Sequence, residues 1–155
     1  MKGDPIVIQT LNDLLADELT AINQYMVEAE MCDNWGYEKL HKMIEKRAID
    51  EMKHAEKLIA RILFLEGIPV VSKLNQLHIG ANVEAMHKNG KTAEVDAIKS
   101  YNEGMLKCTQ AFDNGSRELL KSILQDEEVH LDWLEAQLDQ IAQMGIQVYL
   151  AEQMN

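Results

Sequence analysis

The chain has 155 residues, of which 26 are acidic and 15 basic, for a formal charge of −11. At that length one domain over residues 1–155 is expected, burying roughly 70% of the surface its unfolded chain would expose. With 46% apolar residues, 8 Gly and 2 Pro, disorder and loop-rich scaffolds are excluded, and the acidity speaks against a nucleic-acid partner and for cations.

Apolar residues recur at helical spacing almost throughout, and nothing alternates long enough to make a strand. The first helical segment runs from about Pro5, a good first-turn residue, to the break at Asn34-Trp35-Gly36. The second covers about Tyr37 to Glu66 and stops at Gly67-Ile68-Pro69. A connection of about fifteen residues, Ile68 to Asn82, follows. Antiparallel neighbours would not need it, so it is expected to cross the length of the bundle and set the third helix parallel to the second.

The third helix is placed over Val83 to Phe112, with Asn89-Gly90 as a weak point where it is expected to bend. The fourth starts after Asp113-Asn114-Gly115 with Ser116 as N-cap and ends near Gly145, and Ile146 to Met154 suits a short fifth helix. The fold class is therefore an all-α four-helix bundle of rods about 45 Å long. Cys32 and Cys108 form no CxxC pattern and read as free thiols of a reducing compartment. Asp13 and Asp17 interrupt any signal-like apolar run, and no run nears the ~18 residues of a membrane span, so a cytoplasmic protein is expected.

The most informative feature is an internal repeat. A shift of 76 positions superimposes Glu18-x-x-Ala21-Ile22-x-x-Tyr25 on Glu94-x-x-Ala97-Ile98-x-x-Tyr101, and Asp50-Glu51-x-x-His54 on Asp126-Glu127-x-x-His130. The first two helices are thus repeated as the last two, and the repeat predicts a pseudo-two-fold bundle lined by Glu18, Glu51, His54, Glu94, Glu127 and His130. Residues i and i+3 share a helix face, so each Glu-x-x-His can offer an oxygen and a nitrogen to one metal. A single such motif more often decorates a solvated face; two copies, each matched with a glutamate in a core stripe, ask for a dinuclear site. Four buried glutamates are costly unless paired, and two divalent cations neutralise them. Oxygen-rich ligands with one imidazole per metal suit Fe, Mn or Zn more than Cu(I).

Around this set, Asp50 and Asp126 are expected either to accept the second imidazole N–H of His130 and His54 across the bundle or to sit as solvated acids. Tyr25 and Tyr101 suit hydrogen bonding to the carboxylates, electron supply during oxygen chemistry, or plain core packing. Met52 follows Glu51 by one residue, which turns it about 100° from the metal face and predicts burial against a second subunit. His41, His78 and His87 have no spaced partners and read as surface residues.

The sequence resembles the bacterioferritins over essentially its whole length. The resemblance is carried by Met1-Lys2-Gly3-Asp4, Glu18-Leu19-Thr20-Ala21-Ile22-Asn23-Gln24-Tyr25, Ile49-Asp50-Glu51-Met52-Lys53-His54-Ala55, Arg61-Ile62-Leu63-Phe64-Leu65-Glu66-Gly67 and the run from Asp126 to Glu135. It implies a ferritin-like bundle and a 24-subunit shell built from two-fold dimers, with two iron ions per chain held by the six residues above. It also implies a haem b shared between two subunits through Met52, and a small ferredoxin as electron donor for iron release. Some members carry a histidine at position 46 that forms an inner-surface iron site with Asp50; Lys46 here speaks against that site. The expected function is iron storage and detoxification by a ferroxidase that oxidises Fe(II) with O₂ or H₂O₂. The competing reading is a stand-alone di-metal enzyme, a peroxidase or a manganese-catalase-like protein without storage.

Overall fold

The computed structural model describes residues 1–154 and contains five helices: α1 (Pro5–Asn34), α2 (Glu38–Phe64), α3 (Val83–Gln110), α4 (Asn114–Met144) and α5 (Ile146–Ala151). The bundle, the long crossover and the short fifth helix match the sequence-based expectation. α1 pairs with α2 and α3 with α4. Contacts from Tyr25 to Glu94 and from Tyr101 to Glu18 run α1 against α3 in opposite directions, which leaves α3 parallel to α2.

Local chemistry sets the ends. Asp4 caps α1 by accepting the Ile6 N–H at 2.7 Å, just ahead of Pro5. α2 stops one residue earlier than its glycine suggests: Glu66 itself takes the left-handed conformation (φ 61°), and the Gly67 N–H then returns to the Ile62 carbonyl at 2.9 Å. The N-cap of α4 is Asp113, not Ser116, because Asp113 Oδ1 accepts the Ser116 N–H at 2.9 Å while Oδ2 accepts the Ser116 hydroxyl at 2.7 Å. α3 runs through Asn89 and Gly90 without interruption. A Cβ at Gly90 would come within 3.3 Å of both Leu134 methyls of α4, so glycine there serves close helix approach.

The crossover is laced to α1 by a polar stripe. Asn12, Thr20, Gln24 and Glu28, spaced in multiples of four and so on one face, accept the backbone N–H groups of Val70, Asn75, His78 and Gly80 at 2.8, 2.8, 3.3 and 3.3 Å. These side chains satisfy a strand-free segment that has no ladder of its own. At the far end α5 folds back so that Tyr149 is fully buried. The Tyr149 hydroxyl donates to Gln137 Oε1 at 2.6 Å and lies 2.9 Å from His87 Nε2. His87 is therefore not a surface residue: it is 2% exposed, and burial, aided by the positive charge of Arg47, pushes its pKa down to about 4. A neutral ring inside an apolar cluster needs no ligand partner, which is why spacing alone misplaced it.

Two apolar clusters result. One gathers Leu11, Leu15, Leu58, Ile62 and Leu120; the other gathers Ala29, Leu40, Ile44, Met86 and Tyr149. Both thiols are free and buried, and among the described residues no helix is long and apolar enough to cross a membrane.

Glu28 supplies a test of the lacing. It is 2% exposed, and burial, opposed by the Gly80 N–H and by Arg47, raises its pKa from 4.5 to about 7. The fold thus prefers the protonated acid, and stability contributed below 4.5 is lost as pH rises toward 7. Glu28→Gln keeps the acceptor and should raise the thermal midpoint by about 3 °C near pH 8, roughly 1 kcal/mol, with little change near pH 5. An equal shift at both pH values would show that the carboxyl is not protonated in the fold.

Candidate metal centre

Between the two apolar clusters the structure brings together all six residues singled out by the repeat. Glu18, Glu51, His54, Glu94 and Glu127 are at most 3% exposed and His130 is 7% exposed. They form two overlapping groups whose donor atoms all lie within 4.8 Å of one another: Glu18, Glu51, His54 and Glu127, and Glu51, Glu94, Glu127 and His130. Glu51 and Glu127 belong to both groups, so these two carboxylates sit between the positions, while Glu18 and Glu94 each serve one end. That division of labour was not readable from the repeat, which only declared the two halves equivalent.

Both imidazoles turn Nδ1 inward. His54 Nδ1 lies 2.9 Å from Glu127 and 3.3 Å from Glu51, and His130 Nδ1 lies 3.1 Å from Glu51. Their outer edges face aspartates on the opposite helix, with His54 Nε2 3.0 Å from Asp126 and His130 Nε2 3.4 Å from Asp50. An aspartate there accepts the Nε2 proton and leaves the Nδ1 lone pair free for a metal. Of the alternatives for the tyrosines, hydrogen bonding is what the structure shows: Tyr25 donates to Glu94 Oε1 at 3.0 Å and Tyr101 donates to Glu18 Oε1.

Four inward atoms, Glu51 Oε1, Glu94 Oε2, Glu127 Oε1 and His130 Nδ1, are buried without a hydrogen-bond partner. Glu51 Oε1 and His130 Nδ1 are only 3.1 Å apart, yet they do not point at one another. Potential donor atoms crowded around common points and aimed past each other fit cations placed between them, and the mixed oxygen and imidazole set suits Fe, Mn or Zn.

Charge is managed accordingly. Burial pushes Glu18 and Glu94 well above the usual carboxylate range, reinforced by neighbouring carboxylates. Burial also works against ionised Glu51 and Glu127, but the adjoining Glu18 and Glu94 carboxyls and the nearby imidazoles hold both below that range. Desolvation opposes charge on the histidines, yet the carboxylates win and raise both, His130 to about 10. Protonation is therefore favoured where it offsets the crowded carboxylates, as cations would.

Two clefts of unlike charge reach the centre. One, about 510 Å³ between α1 and α3 and roofed by Asn75 and His78 of the crossover, leads past Asp17 and Asp96 to Glu18, Glu94 and both tyrosines. The other, about 340 Å³ between α2 and α4, reaches the outer edges of His54 and His130 past Lys46, Lys53 and Lys57. Lys46 Nζ stands 3.8 Å from Asp50, so a cation side chain already occupies the neighbourhood of that acid. Met52 lies outside this centre, 44% exposed on α2.

Comparison with known proteins finds relatives over nearly the whole chain. Residues 8–144 match the family model described as the ferritin-like domain. A bacterioferritin of Brucella melitensis is 43% identical over 149 residues, spanning 96% of this chain and 92% of its own length. One of Streptomyces coelicolor is 41% identical over 151 residues (97% and 90%), and one of Mycobacterium tuberculosis is 38% identical over 152 (98% and 96%).

Because the surrounding carboxylates favour protonated imidazoles, metal loading must displace those protons. Anaerobic Zn(II) titration near pH 7 should release about two protons or more per chain, read calorimetrically in buffers of different ionisation enthalpy, with affinity falling as pH falls. Zinc binding without proton release would contradict the raised histidines.

Proposed function

From the premise that this chain belongs to the bacterioferritins within the ferritin-like family, we propose that it stores iron by oxidising Fe(II) at the four-helix centre and depositing the ferric product inside a 24-subunit shell of two-fold dimers. Iron storage and an oligomeric state follow from the family; the ferroxidase chemistry and shell size are our reading. Residues 1–155 form one ferritin-like domain in it. The observation that carries it is the set of buried, partnerless donor atoms contributed by Glu51, Glu94, Glu127 and His130.

In this reading Fe(II) is the substrate. It enters by the acidic α1–α3 cleft, where Asp17 and Asp96 favour a cation. Glu18 with His54 holds one ion and Glu94 with His130 the other, and Glu51 and Glu127 span the pair. Two Fe(II) ions held side by side give one electron each, and these two electrons with two protons reduce dioxygen to hydrogen peroxide, or hydrogen peroxide to two waters. Asp50 and Asp126 keep the imidazoles oriented with Nδ1 available, and Tyr25 and Tyr101 hold the terminal carboxylates in place. The exposed Leu63, Phe64, Leu106 and Phe112 suit contacts between subunits.

The residues present also fit a haem b between two subunits. Met52 is an exposed thioether on α2, and the α1–α2 pair exposes Met26 and Ile49 as well, an apolar and sulfur-bearing surface suited to a macrocycle with methionine ligation. Bound there, haem would supply a one-electron carrier for reductive iron release, with a small ferredoxin as the donor.

Two experiments test the reading. After aerobic Fe(II) loading, many more than about two irons per chain should co-elute with a very large particle, and Glu18→Ala or His130→Ala should slow Fe(II) oxidation by about 10²-fold or more. Iron that stops near two per chain on a small oligomer would instead favour a stand-alone di-metal enzyme. Met52→Leu should abolish the visible haem spectrum while sparing Fe(II) oxidation; an unchanged spectrum removes Met52 as axial ligand.

A further inference from the structure

The repeat has one break inside the centre. Arg47 of α2 is 4% exposed, and its Nη2 donates to Glu94 Oε1 at 2.6 Å and to the Tyr25 hydroxyl at 2.7 Å. Its guanidinium carbon stands 4.2 Å above the Tyr25 ring. The position 76 residues on, from 47 to 123, is Ile123, which is fully buried and apolar. Glu18 accordingly has no guanidinium beside it: it accepts from the Tyr101 hydroxyl, lies against Glu51, and stands 3.7 Å from the Nδ1 edge of His54. One end of the centre carries a permanent cation and the other does not.

A guanidinium keeps its charge at any working pH, and a buried charge is felt over a longer range than a solvated one. Glu94 Oε1 already accepts from two donors, which leaves Oε2, buried and partnerless, as its free donor atom. A divalent ion at this end therefore meets a repelling charge and a ligand whose first oxygen is committed. At the Glu18 end no guanidinium stands by, and Oε1 accepts from one donor, Tyr101, instead of two.

We propose that Arg47 makes the two metal positions unequal: the position of Glu18, Glu51, His54 and Glu127 fills first, the position of Glu51, Glu94, Glu127 and His130 fills second and more weakly, and a one-metal centre is a populated state. The proposal rests on the two-metal reading above. Arg47 acts here as a positioning residue through Glu94 and through its charge.

Anaerobic Co(II) titration of the assembled, metal-free protein, followed by calorimetry and by Co(II) visible absorption, tests it. The wild-type protein should bind two Co(II) per chain in two steps whose dissociation constants differ by at least about tenfold. Arg47→Gln keeps a donor to Glu94 but removes the charge; it should tighten the second step by about tenfold and merge the two while two Co(II) still bind. Arg47→Lys should keep the steps apart. A single wild-type step for both ions, or an Arg47→Gln titration superimposable on wild type, overturns the proposal. If Arg47→Gln does not fold, single-position variants decide: Glu94→Ala should lose the weak step and Glu18→Ala the tight one, and the reverse order overturns it. Failure of the wild-type protein to bind any Co(II) would refute the two-metal reading itself.

Discussion

Four carboxylates buried in the middle of an apolar bundle are the constraint on which the rest of the molecule depends. Left alone they would repel one another and resist desolvation. Every neighbour is placed to answer that: two imidazoles pushed toward the cationic form, two tyrosine hydroxyls on the terminal glutamates, and one guanidinium on Glu94. The apolar clusters on either side then supply the packing that keeps this costly layer closed. Removing one acid would strand its donors, so the polar layer holds together only as a unit.

The scaffold carries its own polar solution, separate from the centre. Ordinary bundles join helices by short loops, whereas here a long segment crosses from one end to the other and must find partners for its backbone. The stripe from Asn12 to Glu28 provides them, using the face of α1 that does not look into the metal centre. One helix thus serves the centre with Glu18 and Tyr25 and the crossover with Thr20 and Gln24, residues one or two positions apart on a 3.6-residue period.

Much of this was legible in the residues. Periodicity located all four long helices, the Ile68 to Asn82 interval declared the crossover, and the constant offset named the six inward side chains and the aspartates behind the histidines, because a repeat converts one-dimensional spacing into a statement about symmetry. What escaped was whatever breaks that symmetry or depends on distant partners. Arg47 looks like any helix-surface arginine until Tyr25 and Glu94 are seen beneath it, and His87 looks solvated until α5 folds over it. Asp113 outcompetes Ser116 as a cap because its two oxygens can serve the Ser116 N–H and hydroxyl together. The sharing of Glu51 and Glu127 between the two groups is a matter of angstroms, below the resolution of any spacing argument.

The lacing of the crossover also bears on the order in which the molecule comes together. Each helix pair is a local hairpin, joined within itself by neighbours in the chain, whereas the rungs to α1 close intervals of 52 to 58 residues. Long intervals close late, because chain entropy must be lost before their bonds repay it. The six candidate ligands come from all four long helices, so no fragment short of the docked pairs brings them together. In the proposed reading, cation capture is therefore the final act of assembly, and a chain that has not finished folding has no place in which to harbour reactive iron.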